Sequence, residues 1–208
     1  MLRPILALLA ALAALAPVAA APPENEHRID LVPMIGIRNG ATLEADQPGI
    51  APAEASATAS FGLDADFYVR PDAWFEVFAD FQKLTFDADP AIFGASHFDM
   101  RVDYLQFGGG YEPTQGAITP FVSAALGVTR YGADTGTVDH TLGFSGSIGG
   151  GFKTAIGKRL AFKLEVLGYG TINDAALAVN CGPGCDVRFA AGGWYQFEAR
   201  AGLAIRVR

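Results

Sequence analysis

Charged side chains that share one face of an extended segment are the residues of this chain whose spacing could do chemistry. Lys163 and Glu165 stand two apart, as do Glu198 and Arg200, and Glu76 and Asp80 stand four apart. In a strand, every second residue lines the same face, so each set presents its charges together. Buried opposite charges allow two chemistries: a path for ions or protons, or a packed plug in which they neutralise one another. Burial without a partner costs several kcal/mol, which favours the plug. With the two segments paired antiparallel, Lys163 can meet Glu198 and Arg200 can meet Glu165, the register being open.

The remaining reactive residues are few. Cys181 and Cys185, in CGPGC, are the only cysteines. In an exported chain they are expected to form a disulfide closing a small ring, whose modest size limits its stabilisation. A metal site would need further Cys or His nearby, and none follows. The three histidines are His27, His97 and His140. Ser96 and Ser145 lie close in sequence, but no His-x-Ser element occurs, and nothing marks a catalytic triad. Asp134, Asp139 and Asp174 could hold a divalent cation that bridges lipopolysaccharide, although scattered loop carboxylates are usually only solvated. No cofactor is implied.

The elements that position these side chains are strands. The closing stretch, GWYQFEARAGLAIRVR, sets Tyr195, Phe197, Ala199, Ala201, Leu203, Ile205 and Val207 in one phase and Gln196, Glu198, Arg200 and Arg206 in the other. A period of two means a strand, and its length exceeds the five or six residues usual in soluble domains. The same pattern divides the chain into eight strands: 28–38, 56–70, 73–86, 98–111, 117–131, 142–156, 160–173 and the final segment from Gly193. Pro33 interrupts the first, and a phase slip in the fourth predicts a bulge near Asp103 to Leu105. Connections at 39–55, 87–97, 132–141 and 174–192 are long, while those at Arg70 to Asp72, Glu112 to Gly116 and Gly157 to Arg159 are short.

Ahead of the strands, Arg3 and the apolar run Ile5 to Ala16 predict a signal peptide cleaved after Ala20, followed by an extended lead over 21–27. Removing Arg3 leaves 14 basic against 22 acidic residues, a formal charge of 14 − 22 = −8. Scattered basic residues and this charge argue against nucleic acid as a partner. No apolar twenty-mer follows the signal, so spanning helices are excluded.

Alternating long and short connections, long strands and opposite charges in the polar phase together predict an all-β, eight-stranded antiparallel up-and-down transmembrane barrel over 28–208. A soluble lipocalin-like barrel would show the same alternation with its apolar phase inward. Aromatic residues support the membrane reading as a girdle at the headgroup levels: Trp74, Phe75, Tyr111 and Phe121 flank the short turns, and Tyr131, Phe144, Trp194 and Tyr195 lie near the long loops.

The stretches DYLQFGGGYEP at Asp103 to Pro113, TPFVSAALGVTRY at Thr119 to Tyr131 and FEARAGLAIRVR at Phe197 to Arg208 resemble the small outer-membrane β-barrel family, the eight-stranded group similar to opacity proteins and to the transmembrane domain of outer-membrane protein A. The resemblance implies a Gram-negative outer-membrane location with both termini periplasmic. It also implies contact with outer-membrane lipid and lipopolysaccharide, and handling by the barrel-assembly machinery, which reads a terminal aromatic where this chain ends Val207-Arg208. The expected role is non-enzymatic, structural or surface-interacting, exercised through four exterior loops around a charge-plugged lumen. Its rivals are a carrier or transporter of small hydrophobic ligands and, behind that, a lipid-modifying enzyme.

Overall fold

A computed structural model describes residues 28–43, 53–87, 96–113, 116–133, 141–172, 177–182, 185–189 and 193–207. The signal peptide and the lead segment, with His27, lie outside the described residues, as do His140, Asp134, Asp139 and Asp174. In chain order the strands are β1 (Ile29–Arg38), β2 (Ala41–Leu43), β3 (Ala53–Ala55), β4 (Thr58–Arg70), β5 (Ala73–Asp87), β6 (His97–Tyr111), β7 (Ile118–Ala133), β8 (Thr141–Ala155), β9 (Leu160–Ile172), β10 (Leu177–Gly182), β11 (Cys185–Phe189) and β12 (Gly193–Arg206).

Eight of these form a closed ring in which each strand pairs antiparallel with its sequence neighbour. β1 closes it by pairing β12, and β5 pairs β6 along their whole lengths. Closure leaves no strand edge unpaired, which is what a strand architecture requires inside hydrocarbon. The long connections are more structured than the sequence suggests. β2 and β3 extend the wall beyond β5 within the 39–55 connection, and β10 and β11 form a separate two-stranded ribbon within 174–192. The paired-disulfide expectation falls on side chains outside the described residues; the backbone puts Cys181 near the end of β10 and Cys185 at the start of β11.

Pro33 sits within a regular strand. Its β4 side is paired in register with Leu63, whereas on the β12 side pairs occur at Leu31 with Ile205 and at Met34 with Gly202 but not between them. The donor that proline lacks therefore falls on the seam between first and last strands, and the register passes it without a shift.

The bulge expected at Asp103 to Leu105 is absent, because the β5–β6 and β6–β7 registers run without interruption from end to end. What changes there is the environment. On the short-turn side of this level, Leu105 and Phe107 point outward and are exposed while Tyr104 and Gln106 are buried. Beyond it, Phe98, Met100 and Val102 are buried and Arg101 faces outward. β5 repeats the inversion: Phe75, Val77 and Phe81 face out opposite Glu76 and Asp80, then Lys83, Thr85 and Asp87 face out opposite Leu84 and Phe86. Fifteen residues in β5, at about 3.3 Å each and tilted about 40°, rise roughly 38 Å, against an apolar band of about 25 Å. The top of this hairpin stands in water, where the apolar phase must turn inward.

Candidate functional site

The inward phase of the eight strands fills the lumen in layers. At the short-turn end, the Lys153 ammonium from β8 donates to the Tyr68 hydroxyl at 2.8 Å and to Asp66 at 3.2 Å, and pairs with Glu112 at 3.3 Å. It also lies 3.7 Å from the Trp74 ring centroid, within cation–π range. Gly110 permits this layer, since a Cβ there would collide with the Trp74 indole.

The middle layer holds the residues singled out by spacing. The Lys163 ammonium donates to Asp64 at 2.9 Å and Glu76 at 3.1 Å, and approaches Glu165 at 3.5 Å. Arg200 donates to Glu165 through Nε at 2.9 Å and through a terminal nitrogen at 2.7 Å, and to Asp64 at 3.0 Å. Glu165 accepts a further bond from Ser123 at 2.8 Å. Just above, Arg38 donates to Glu198 at 2.9 and 3.2 Å and also bonds Asp80. Glu198 is further held by Ser60 and by the Tyr169 hydroxyl at 2.7 Å. A Cβ on Gly36 would approach the Glu198 carboxylate to 2.6 Å, so only glycine leaves space for that group.

An uncharged layer follows. Gln196 donates to Gln82 at 3.0 Å and accepts from Tyr104 at 2.9 Å, while Gln106 donates to Ser145 at 2.9 Å and accepts from Ser147 at 2.6 Å. Above it lies the apolar cluster of Leu84, Phe86, Phe98, Met100 and Val102, with Phe86 and Phe98 stacked at 5.2 Å.

Glu76, Asp80, Lys163, Glu165, Glu198 and Arg200 are thus all buried together. The register pairs Arg200 directly with Glu165. Lys163 opposes Gly202 and turns to Asp64 and Glu76, while Glu198 belongs to Arg38. The exchange follows from shear: neighbouring strands are staggered around the barrel, so the nearest opposite charge need not lie on the adjacent strand. Arg38, Asp64, Asp66 and Lys153 complete the network beyond the six residues singled out by spacing; each falls in the inward phase of its strand, opposite exposed Ile37, Leu63 and Phe67 and next to Phe152.

The aromatic girdle divides. Phe75, Tyr111, Phe144 and Tyr195 face outward and are exposed. Trp74, Phe121 and Tyr131 are buried inside, and Trp194 packs inward against Tyr131 at 5.5 Å. These four occupy the inward phase, and their proximity to strand ends reflects capping of the lumen instead of contact with headgroups. His97 is exposed, with its Nδ1 at 3.1 Å from the adjacent Ser96 hydroxyl, whereas Ser145 is buried among the glutamines. No carboxylate completes a triad with them among the described residues, and no cluster of metal-ligating side chains occurs there.

No family model matches the sequence, and no curated protein matches it significantly. Solved structures do match in fold. Neisserial surface protein A superposes with a TM-score of 0.54 at 13% identity, over 86% of this chain and 96% of that one. The outer membrane protein OprG from Pseudomonas aeruginosa gives 0.58 at 14% identity, over 85% and 95%. The outer membrane protein AlkL, determined in lipid bilayers, gives 0.57 at 16% identity, over 93% and 97%.

Proposed function

For a chain with the closed eight-stranded fold of the small outer-membrane barrels, we propose a non-enzymatic protein of the Gram-negative outer membrane that works through its exterior loops. The observation that supports this reading is the filled lumen. Ion pairs join β1, β4, β5, β9 and β12 across the barrel axis, and eight strands enclose only enough space for side chains. A barrel closed in this way offers no aqueous path, which leaves the loop end as the surface for recognition. Both termini then lie in the periplasm, and the outer wall meets lipid and lipopolysaccharide.

The test compares the full chain with a version whose four long connections are trimmed, in cells and in planar bilayers. Both should partition with the outer membrane and migrate differently before and after boiling; both should be silent in conductance. Surface attachment or partner binding should be lost on trimming. Steady ionic steps from the full chain, or attachment that survives trimming, would overturn the reading.

The apolar cluster above the glutamine layer favours a second reading, a carrier of small hydrophobic molecules entered from the loop end. Val102→Asp would abolish uptake of an apolar fluorescent probe if that reading held, and would leave attachment unchanged.

A further inference from the structure

At the short-turn mouth, below the Lys153 layer, the lumen opens into a cavity of about 190 Å³. Its roof is the sealed plug. Its walls carry Arg28 from the start of β1, Lys158 and Arg159 from the β8–β9 turn, and Arg206 from the end of β12. The turn is held tight by Ile156 and Gly157, whose amides both donate to the Leu160 carbonyl at 3.0 and 3.1 Å. The Arg206 amide donates to the Arg159 carbonyl at 2.9 Å, fastening these two basic positions side by side.

The carboxylates in the same cavity are already engaged. Asp30 accepts two bonds from Arg28, one at 3.0 Å. Glu112 accepts from Tyr68 at 3.0 Å and meets Lys153. Arg206 stands 3.9 Å from Asp30, and Lys158 and Arg159 make no ion pair among the described residues. Among the described residues that line the cavity, Arg28, Lys153, Lys158, Arg159 and Arg206 stand against Asp30 and Glu112, a surplus of positive charge with guanidinium forks suited to planar or tetrahedral anions.

We propose that this cavity binds a small polyanion bearing phosphate, supplied either as a free solute or as the headgroup of an inner-leaflet lipid. The proposal does not depend on what the exterior loops recognise. It is tested by titrating inorganic pyrophosphate into the full chain in phosphatidylcholine nanodiscs at low salt, followed by calorimetry. One saturable site is expected. The double substitution Lys158→Gln with Arg159→Gln should weaken it by about tenfold or more, because two charge-assisted contacts are lost. Arg70→Gln serves as the control, since Arg70 lies on the short-turn side but is paired with Asp72 and does not line the cavity; it should leave binding unchanged. Boiled and unboiled gel mobility confirms that each variant is folded. Repeating the titration in phosphatidylglycerol discs separates the sources: competition by the lipid identifies a headgroup occupant, and undiminished binding identifies a soluble one. Absence of a saturable site in phosphatidylcholine, or equal weakening by Arg70→Gln, would overturn the proposal.

Discussion

The same two strands, β5 and β6, build opposite interiors at their two ends. Toward the short turns they enclose Glu76, Asp80 and Gln106 and show Phe75, Phe81 and Phe107 to the outside. Toward the long loops they enclose Leu84, Phe86, Phe98 and Met100 and show Lys83 and Arg101. Backbone geometry and register are continuous through both. The difference teaches that the solvent outside a strand decides which side its apolar residues take: in hydrocarbon the polar groups must retreat inward and find partners, and in water the apolar groups retreat instead.

Substitutions can break this comparison at either end. The largest effect is expected from Lys163→Met, which leaves Asp64, Glu76 and Glu165 without the ammonium that joins them. Removing one partner of a buried charge set costs about 3–5 kcal/mol, so urea unfolding followed by gel mobility should show a sharply lowered midpoint for the whole barrel. An unchanged midpoint would mean that the middle layer is not a structural plug.

Leu84→Ala should cost about 2–5 kcal/mol, but in a different place. Hydrogen exchange should accelerate in β2, β3 and the upper parts of β5 and β6, with the charged half still protected. Uniform acceleration along β5 would show that the two halves open as one unit.

The outer wall offers a sharper measure of the boundary. Phe107→Lys places a charge against hydrocarbon and should cost about 2–4 kcal/mol, whereas Thr85→Lys should cost less than about 1 kcal/mol. Equal costs would mean that the hydrocarbon boundary does not fall between these levels.

The smallest effect belongs to the exposed turn between β4 and β5. Arg70 donates to Asp72 at 2.8 and 3.0 Å, and that hydrogen bond holds the Asp72 carboxyl below its ordinary range. Because the folded group is the stronger acid, its contribution is present above the unfolded value, about pH 4, and fades as pH falls through the folded one. Asp72→Asn should therefore lower stability slightly at neutral pH, by an amount that stays constant above about pH 5 and vanishes as pH falls through the folded value, flattening the acid limb. A difference between the two proteins that grows above pH 5 would reverse that assignment.

How much of this was legible in the chain depended on whether an element stayed in one solvent. β12 keeps Phe197 and Leu203 outward and Glu198 and Arg200 inward along its length, so period two alone reads it correctly. β6 crosses the boundary, and its exchange of faces imitates a one-residue slip in register. Aromatic residues were ambiguous for a related reason. Trp74 and Phe75 are adjacent in sequence near a turn, yet one packs against Tyr68 and Phe121 while the other faces out. Strand phase separates the two, and proximity to a turn cannot.

By itself the sequence determined the number of barrel strands, the alternation of long and short connections and the two phases into which polar and apolar residues divide, because each is written in local periodicity. Only the tertiary structure decided which charges meet. Arg38 reaches Glu198 and Asp80, and Lys163 reaches Asp64 and Glu76, across a lumen whose stagger brings together strands far apart in the chain. That choice is set by closure of the cylinder, a global condition that no single strand contains.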